Sequence, residues 1–230
     1  MIEGFRELSR ALRANVPLEY AVVSQSAAAK WSIADTFQKY LTLIVADEMF
    51  SKISQRDNPD GILGVAKTWE CDLSRVKLQP QGLYLLVERL EKPGNLGALM
   101  RSAEATAVDG FFIADPIVDI FNPNVIRTSQ GAVFNLNIYW GPAKILLDLF
   151  QKNTLNIFAT TPHTQHNYWD CDLKHGCVIC VGNEARGLDE LWMNAAQKML
   201  IPMYGSSADS LNASVSGTLC LYEARRQRRT

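Results

Sequence analysis

Residues 83–115, LYLLVERLEKPGNLGALMRSAEATAVDGFFIAD, decide how the chain folds. LYLLVERL reads as a strand, EKPGN as a Gly-containing loop, LGALMRSAEATAV as a helix opening at about Leu96, and GFFIAD as the next strand. Asn95 stands where an N-cap belongs. Leu96, Leu99, Met100 and Ala103 fall on one helical face and predict its buried stripe, with Arg101 projecting off it. A strand, a helix and a second strand in so short a span form a βαβ unit, whose two strands run parallel.

The alternation continues downstream. PNVIRTSQGA predicts a helix, LNIYW a strand, PAKILLDLFQK a helix and NIFATT a strand. VICVGNE (178–184) then predicts a strand, LDELWMNAAQKM (188–199) a helix, MLIPM (199–203) a strand and SVSGTLCLYEARRQR (214–228) a last helix. Strands alternating with helices imply an α/β domain with a mostly parallel sheet covered on both faces. Upstream, GFRELSRALRAN (helix), EYAVVSQ (strand), SIADTFQKYL (helix) and the apolar stretches TLIVADEMF and GILGVAK form a smaller α/β module. The polar stretch between them, with Pro80 and Gly82, marks a linker. The division is 1–75, linker 76–82 and 83–230.

The 230 residues are 47% hydrophobic and 20% charged, enough to bury a full core. No apolar run approaches the roughly 20 residues that cross a bilayer, and the opening MIEGFRELSRALR lacks a secretory apolar segment, so the expected location is cytoplasmic. A net charge of −1 excludes a surface that is basic throughout. Basic residues nevertheless cluster: Arg225, Arg226, Arg228 and Arg229 near the end, Arg6, Arg10 and Arg13 near the start. Charge alone fits either a local phosphate-binding face or solvated basic helix ends. Five cysteines among apolar neighbours argue for reduced core thiols. Cys177 and Cys180 form a CxxC near His175, but in a strand residues three apart face opposite ways, and no second ligand pair completes a metal site.

Three segments carry chemistry. In the first, residues 91–105, a capped helix bearing a solvated arginine explains the pattern as well as a site does. Gly94 and Gly97 with Asp115 downstream imitate a dinucleotide-binding loop, yet the pattern GxGxxG needs a third glycine. In the second, VICVGNEARGLDELW (178–192), Gly182 and Gly187 permit backbone conformations that let a flat ligand lie against the main chain. Glu184 there serves a site or simply favours the positive end of the following helix. The third, residues 201–228, joins a short strand to a polar loop and a helix whose buried side is predicted to include Val215, Leu219 and Tyr222. Ser210, Asn212 and Ser214 are all good N-cap types, and capping accounts for one of them.

In this order the segments NLGALMR, GNEARGL and IPM…SLNASV…YEARRQR resemble the SpoU (TrmH-like) branch of the SPOUT superfamily of RNA ribose methyltransferases, over nearly all of residues 81–230. The resemblance implies a deep trefoil knot in the parallel-sheet domain, S-adenosyl-L-methionine as methyl donor, a ribose 2′-hydroxyl of RNA as acceptor, a homodimer, and neither metal nor membrane. It implies cofactor contacts at Gly182, Ile201, Leu211 and, from the end of a strand, Thr160. It implies a polar active-site set of Asn95, Arg101, Glu184, Ser210 and Asn212.

A guanidinium does not give up its proton readily at neutral pH, so Arg101 is expected to grip RNA phosphate and stabilise the developing alkoxide rather than act as a base. Asn95 and Asn212 are expected to orient Arg101 and the ribose, and Glu184 to hold a donor in the loop. The N-terminal module resembles the small ribosomal-protein-like RNA-binding domain that often precedes this catalytic domain, which favours ribosomal over transfer RNA. The alternative is an RNA-binding or scaffolding protein that keeps the knot without catalysis.

Overall fold

The computed structural model describes residues 1–30, 40–206 and 210–229. The helix expected over SIADTFQKYL falls outside the described residues up to 39, and Leu41 already belongs to a strand.

The N-terminal part runs β1 (Ile2–Glu3), α1 (Phe5–Arg13), β2 (Leu18–Ser24), α2 (Gln25–Lys30), β3 (Leu41–Val45), α3 (Asp47–Ile53) and β4 (Ile62–Ala66). Its four strands pair in the order β1-β4-β2-β3, parallel only between β2 and β3. The apolar stretch TLIVADEMF thus divides between a strand and a short helix. Asp47 and Glu48 in the first turn of α3 suit a helix start.

The larger part contains β5 (Leu83–Glu88), α4 (Pro93–Ala105), β6 (Gly110–Ala114), α5 (Pro123–Thr128), β7 (Ile138–Gly141), α6 (Ala143–Lys152), β8 (Asn156–Thr160), β9 (Cys177–Val181), α7 (Glu190–Ala195), β10 (Gln197–Met199) and α8 (Ala213–Gln227). Six strands form one parallel sheet in the order β10-β8-β9-β5-β6-β7. Every residue of β5 is buried, as a central strand covered on both faces requires. Leu83, Leu85 and Val87 face a core shared with α4, α5 and α8, while Tyr84 and Leu86 face one shared with α6 and α7. Cys177 and Cys180 separate in the same way, one in each core, and burial pushes the Cys177 thiol up to about 11. Among the described residues no helix is long and apolar enough to cross a membrane.

The N-terminal module packs on the first of these cores: Leu8 and Ala11 of α1 join it, and Arg10 Nη1 donates to Gln130 O at 2.6 Å. The clustered arginines, which by charge alone fit either a phosphate face or solvated helix ends, are mostly spent on structure. Arg225 donates to the carbonyls of Thr106 and Ala107, and Arg228 to those of Leu173 at 2.7 Å and Gln81 at 2.8 Å. Arg226 pairs with Glu223 and Arg6 with Glu7, whereas Arg229 and Arg13 stay exposed.

Four elements differ from the sequence reading. The helix α4 begins at Pro93, not Leu96, because proline lacks only an N–H that the first turn leaves unused and brings a helical φ. Asn95 therefore lies inside the first turn and is not the N-cap. The helix expected over 188–199 stops at Ala195, and the strand expected at 199–203 is instead Gln197–Met199. Parallel pairing with the edge of β8, Gln197 opposite Phe158 and Met199 opposite Thr160, overrides the local preference. In α8, Val215, Leu219 and Tyr222 are exposed at 45%, 36% and 54%, opposite to expectation. Its buried face is Ala213, Gly217, Cys220, Leu221 and Ala224, where Gly217 meets Leu99 so closely that a Cβ would stand 2.5 Å from Leu99 Cδ2.

Candidate active site

The strand order reverses around β5: the chain lays β6 and β7 on one side, then crosses to β8 on the other and inserts β9 between β8 and β5. Open parallel sheets hold ligands beyond the carboxyl ends of strands at such a reversal. A cavity of about 460 Å³ opens there, past the ends of β8, β9 and β10. Its size lies within the roughly 300–1,000 Å³ of small-molecule sites.

Thr160, Gly182, Ile201 and Leu211, expected as cofactor contacts, all line this cavity, as do Glu184 and Ser210. Thr160 sends its hydroxyl to Cys180 O at 3.0 Å, which ties the ends of β8 and β9 together. Gly182 makes the wall possible. A Cβ there would sit 2.1 Å from the carbonyl carbon of Gly187, because the loop folds back on itself through paired Asn183–Gly187 backbone bonds of 2.9 and 3.0 Å. Gly187 itself has φ +71, a conformation glycine adopts without strain. The result is a tightly folded loop along the cavity, against which a flat ring can lie.

Beside the cavity, Asn212 Nδ2 donates to Asn95 Oδ1 at 3.0 Å, and Asn95 Nδ2 donates to Glu184 Oε1. One polar chain thus links α8, α4 and the glycine-bracketed loop. Asn212 also caps α8, accepting from Ser214 N at 2.8 Å. Of the three possible caps, it is the one used. Glu184 is expected to hold a donor in the loop; the donor it accepts from is Asn95, on α4.

Arg101 stands apart. It is exposed, is not among the residues lining the cavity, and makes no hydrogen bond or ion pair among the described residues. The expectation that Asn95 and Asn212 orient it does not hold in this chain, since the two asparagines bond to each other and to Glu184. What Arg101 does have is an uncommitted guanidinium.

Sequence reasoning missed several residues. Asn183 donates through Nδ2 to Arg89 O and Glu91 Oε1, each at 3.0 Å, and accepts through Oδ1 from the backbone of Ala185 at 2.8 Å and Arg186 at 3.1 Å. Arg89 pairs with Asp115 at 3.1 Å and Asp189 at 2.6 Å. Only the asparagine beside Gly182 offered a local sign, as a turn-forming type. Among the described residues no cluster of His, Cys, Asp or Glu is arranged to hold a metal ion.

The family model described as the SpoU rRNA methylase family matches residues 82–222. The chain belongs to this family. A second model, the MRM3-like substrate binding domain, matches residues 1–64. The SpoU resemblance extends to whole proteins. A solved RNA 2′-O ribose methyltransferase superposes with a TM-score of 0.87 at 41% identity, covering 99% of this chain and 88% of that one. The SpoU methyltransferase AviRb from Streptomyces viridochromogenes, in complex with the cofactor AdoMet, gives 0.87 at 25% identity over 99% and 89%. Among curated relatives, the 23S rRNA (uridine(2479)-2′-O)-methyltransferase of the same organism is 27% identical over 99% of this chain and 83% of its own length.

Proposed function

We propose that this SpoU protein transfers the methyl group of S-adenosylmethionine to a ribose 2′-hydroxyl of structured RNA in the cytoplasm, ribosomal RNA in preference to transfer RNA. The observation that carries the reading is convergence: residues from three separate segments meet at one cavity and its adjoining Glu184–Asn95–Asn212 chain. The AdoMet-bound relative and the 23S rRNA-modifying relative favour the same donor and acceptor. The match of residues 1–64 to a substrate binding domain supports the N-terminal part, 1–75, as the RNA-docking module, joined by 76–82 to the catalytic part, 83–230.

Gly182, Ile201, Leu211 and Thr160 hold the cofactor, which when bound supplies an electrophilic methyl on a positively charged sulfonium. The chain's task is then to position a hydroxyl and to manage its proton. Ser210 lies on the cavity wall as a hydrogen-bonding group, and the Glu184–Asn95–Asn212 chain fixes the loop it faces. Arg101 grips an RNA phosphate and stabilises charge developing on the ribose oxygen, a role that needs the uncommitted guanidinium found here. Positioning of this kind can supply on the order of 7–11 kcal/mol in favourable cases.

The catalytic part is read as threaded into a deep trefoil knot. Insertion of β9 between β5 and β8 and the return of α8 onto α4 and β9 support this. The working species is read as a homodimer formed over Val215, Leu219 and Tyr222, an exposed apolar stripe at helical spacing. That stripe lies on α8 next to α4, joined by the Ser102–Thr218 hydroxyl contact at 2.7 Å, so pairing over it brings the Arg101 helix near the second copy.

Calorimetry with S-adenosylmethionine and with NAD, followed by mapping of ribose methylation in total RNA from a deletion strain, tests the proposal. Binding of the sulfonium compound and the loss of one 2′-O-methyl mark are expected. Heat from NAD alone, or an unchanged methylation map, would overturn it. A sedimentation mass near 26 kDa at micromolar protein, the monomer value, would overturn the dimer.

A further inference from the structure

Glu88 ends β5 at 1% exposure, a place where a carboxylate is costly to hold. It neither lines the cavity nor joins the Glu184–Asn95–Asn212 chain. Its oxygens accept from the backbone N–H of Asp189 at 2.8 Å and from the indole N–H of Trp192 at 3.1 Å. Burial pushes the carboxyl pKa up and the Asp189 N–H pulls it back. Both neighbours are donors, so an acceptor-only group suits the position.

Asp189 occupies the N-cap of α7 without making a capping bond of its own; its carboxylate is drawn away to Arg89. The neighbouring residues of the same β5–α4 segment hold the other end of the loop, where Asn183 donates to Arg89 O and Glu91 Oε1. Every residue from Gly182 to Leu188 lines the cavity. A stretch outside the cavity, residues 88–91, in which Glu88 and Leu90 are buried, therefore fixes both ends of the loop that forms its wall.

We propose that Glu88 is a positioning residue for the cofactor cavity: its carboxylate, by holding Asp189 N–H and Trp192 Nε1–H at the end of β5, fixes loop 183–188 in its binding shape before ligand arrives. The proposal rests on the reading that S-adenosylmethionine occupies this cavity. A loop ordered in advance spares binding the entropy of ordering it.

Titration calorimetry of the full chain with S-adenosylmethionine tests it. In Glu88→Gln the amide offers one acceptor and turns its NH₂ toward the other donor, so affinity is expected to fall about tenfold. Trp192→Phe in that background removes the opposed donor while leaving Asp189 N–H its acceptor. The double variant is expected to bind more tightly than Glu88→Gln alone, although it disturbs the core further. General loss of structure would make it weaker. Equal affinity of wild type and Glu88→Gln, or no recovery in the double variant, overturns the proposal. Should Glu88→Gln fail to fold, amide exchange in the unliganded wild type decides: slow exchange at Asp189 is expected, and exchange as fast as in an open loop overturns it. A wild type that binds no S-adenosylmethionine instead sinks the functional reading itself.

Discussion

Helices α4 and α8 lie side by side against the same face of the sheet and both carry large apolar residues at helical spacing, yet they use them in opposite ways. In α4 the stripe Leu96, Leu99, Met100 and Ala103 is fully buried. In α8 Val215, Leu219 and Tyr222 face outward, and the buried side sets Leu221 among the small residues Gly217, Cys220 and Ala224. The contact between the helices explains the difference. At Gly217 the two approach within the space of a missing side chain, so α8 meets α4 with a small residue and leaves Val215, Leu219 and Tyr222 outward. Hydrophobic periodicity shows that a helix has an apolar face; it does not say which of two faces meets the core when a close approach favours the smaller.

The contrast makes graded predictions. Leu99→Ala empties a site with no exposure, and chemical denaturation is expected to show a loss of about 2–5 kcal/mol. Leu219→Ala, on the outward stripe, is expected to cost the isolated subunit about 0.5 kcal/mol or less while weakening self-association in sedimentation. Equal costs at the two positions would break the comparison.

Arg101 sharpens it on the catalytic side, as an exposed residue of the helix whose apolar stripe is buried. If it grips phosphate, Arg101→Ala should lower methyl transfer by roughly 10²–10³ with little change in cofactor affinity or melting temperature. Arg101→Lys should recover part of the rate, since lysine keeps the charge and loses the planar fork. Near-normal turnover of Arg101→Ala on the correct RNA would remove Arg101 from the site.

Gly217→Ala places a methyl against Leu99 and is expected to cost about 1–3 kcal/mol by overpacking. Combined with Leu99→Ala it should cost less than the sum of the two single changes, because the cavity of one receives the methyl of the other. Strict additivity would mean that the helices do not meet as described. A modest effect is expected at Asn212. Replacement by alanine removes the cap of α8, worth about 1 kcal/mol, and also frees Asn95 from one partner. A loss of activity larger than the loss of stability would show that the polar chain matters beyond capping.

Local pattern made the alternation of strands and helices, the buried stripe of α4, the separation of Cys177 from Cys180 and the three chemical segments legible, because each depends on side-chain period or on short-range turn chemistry. The cavity residues Thr160, Gly182, Glu184, Ile201, Ser210 and Leu211 were reached through the family resemblance, and the structure gathers them around one cavity. Arg89 and Glu88 were not legible, and Asn183 offered only its type as a turn former. Their partners lie on other elements, and a glutamate ending an apolar strand gives no local sign that a distant backbone N–H waits for it.

The sequence by itself determined an α/β chain with a mostly parallel sheet and the residue types of the site, since composition, period and glycine placement act within a few residues of one another. Only the tertiary structure decided that Asn95 bonds to Glu184 and Asn212 rather than to Arg101, that α8 turns Val215, Leu219 and Tyr222 outward, and that most of the terminal arginines serve carbonyl groups and a glutamate. Each of these outcomes is a choice among partners that only folding brings within hydrogen-bond or van der Waals distance, and a buried polar group takes whichever partner the packing places beside it.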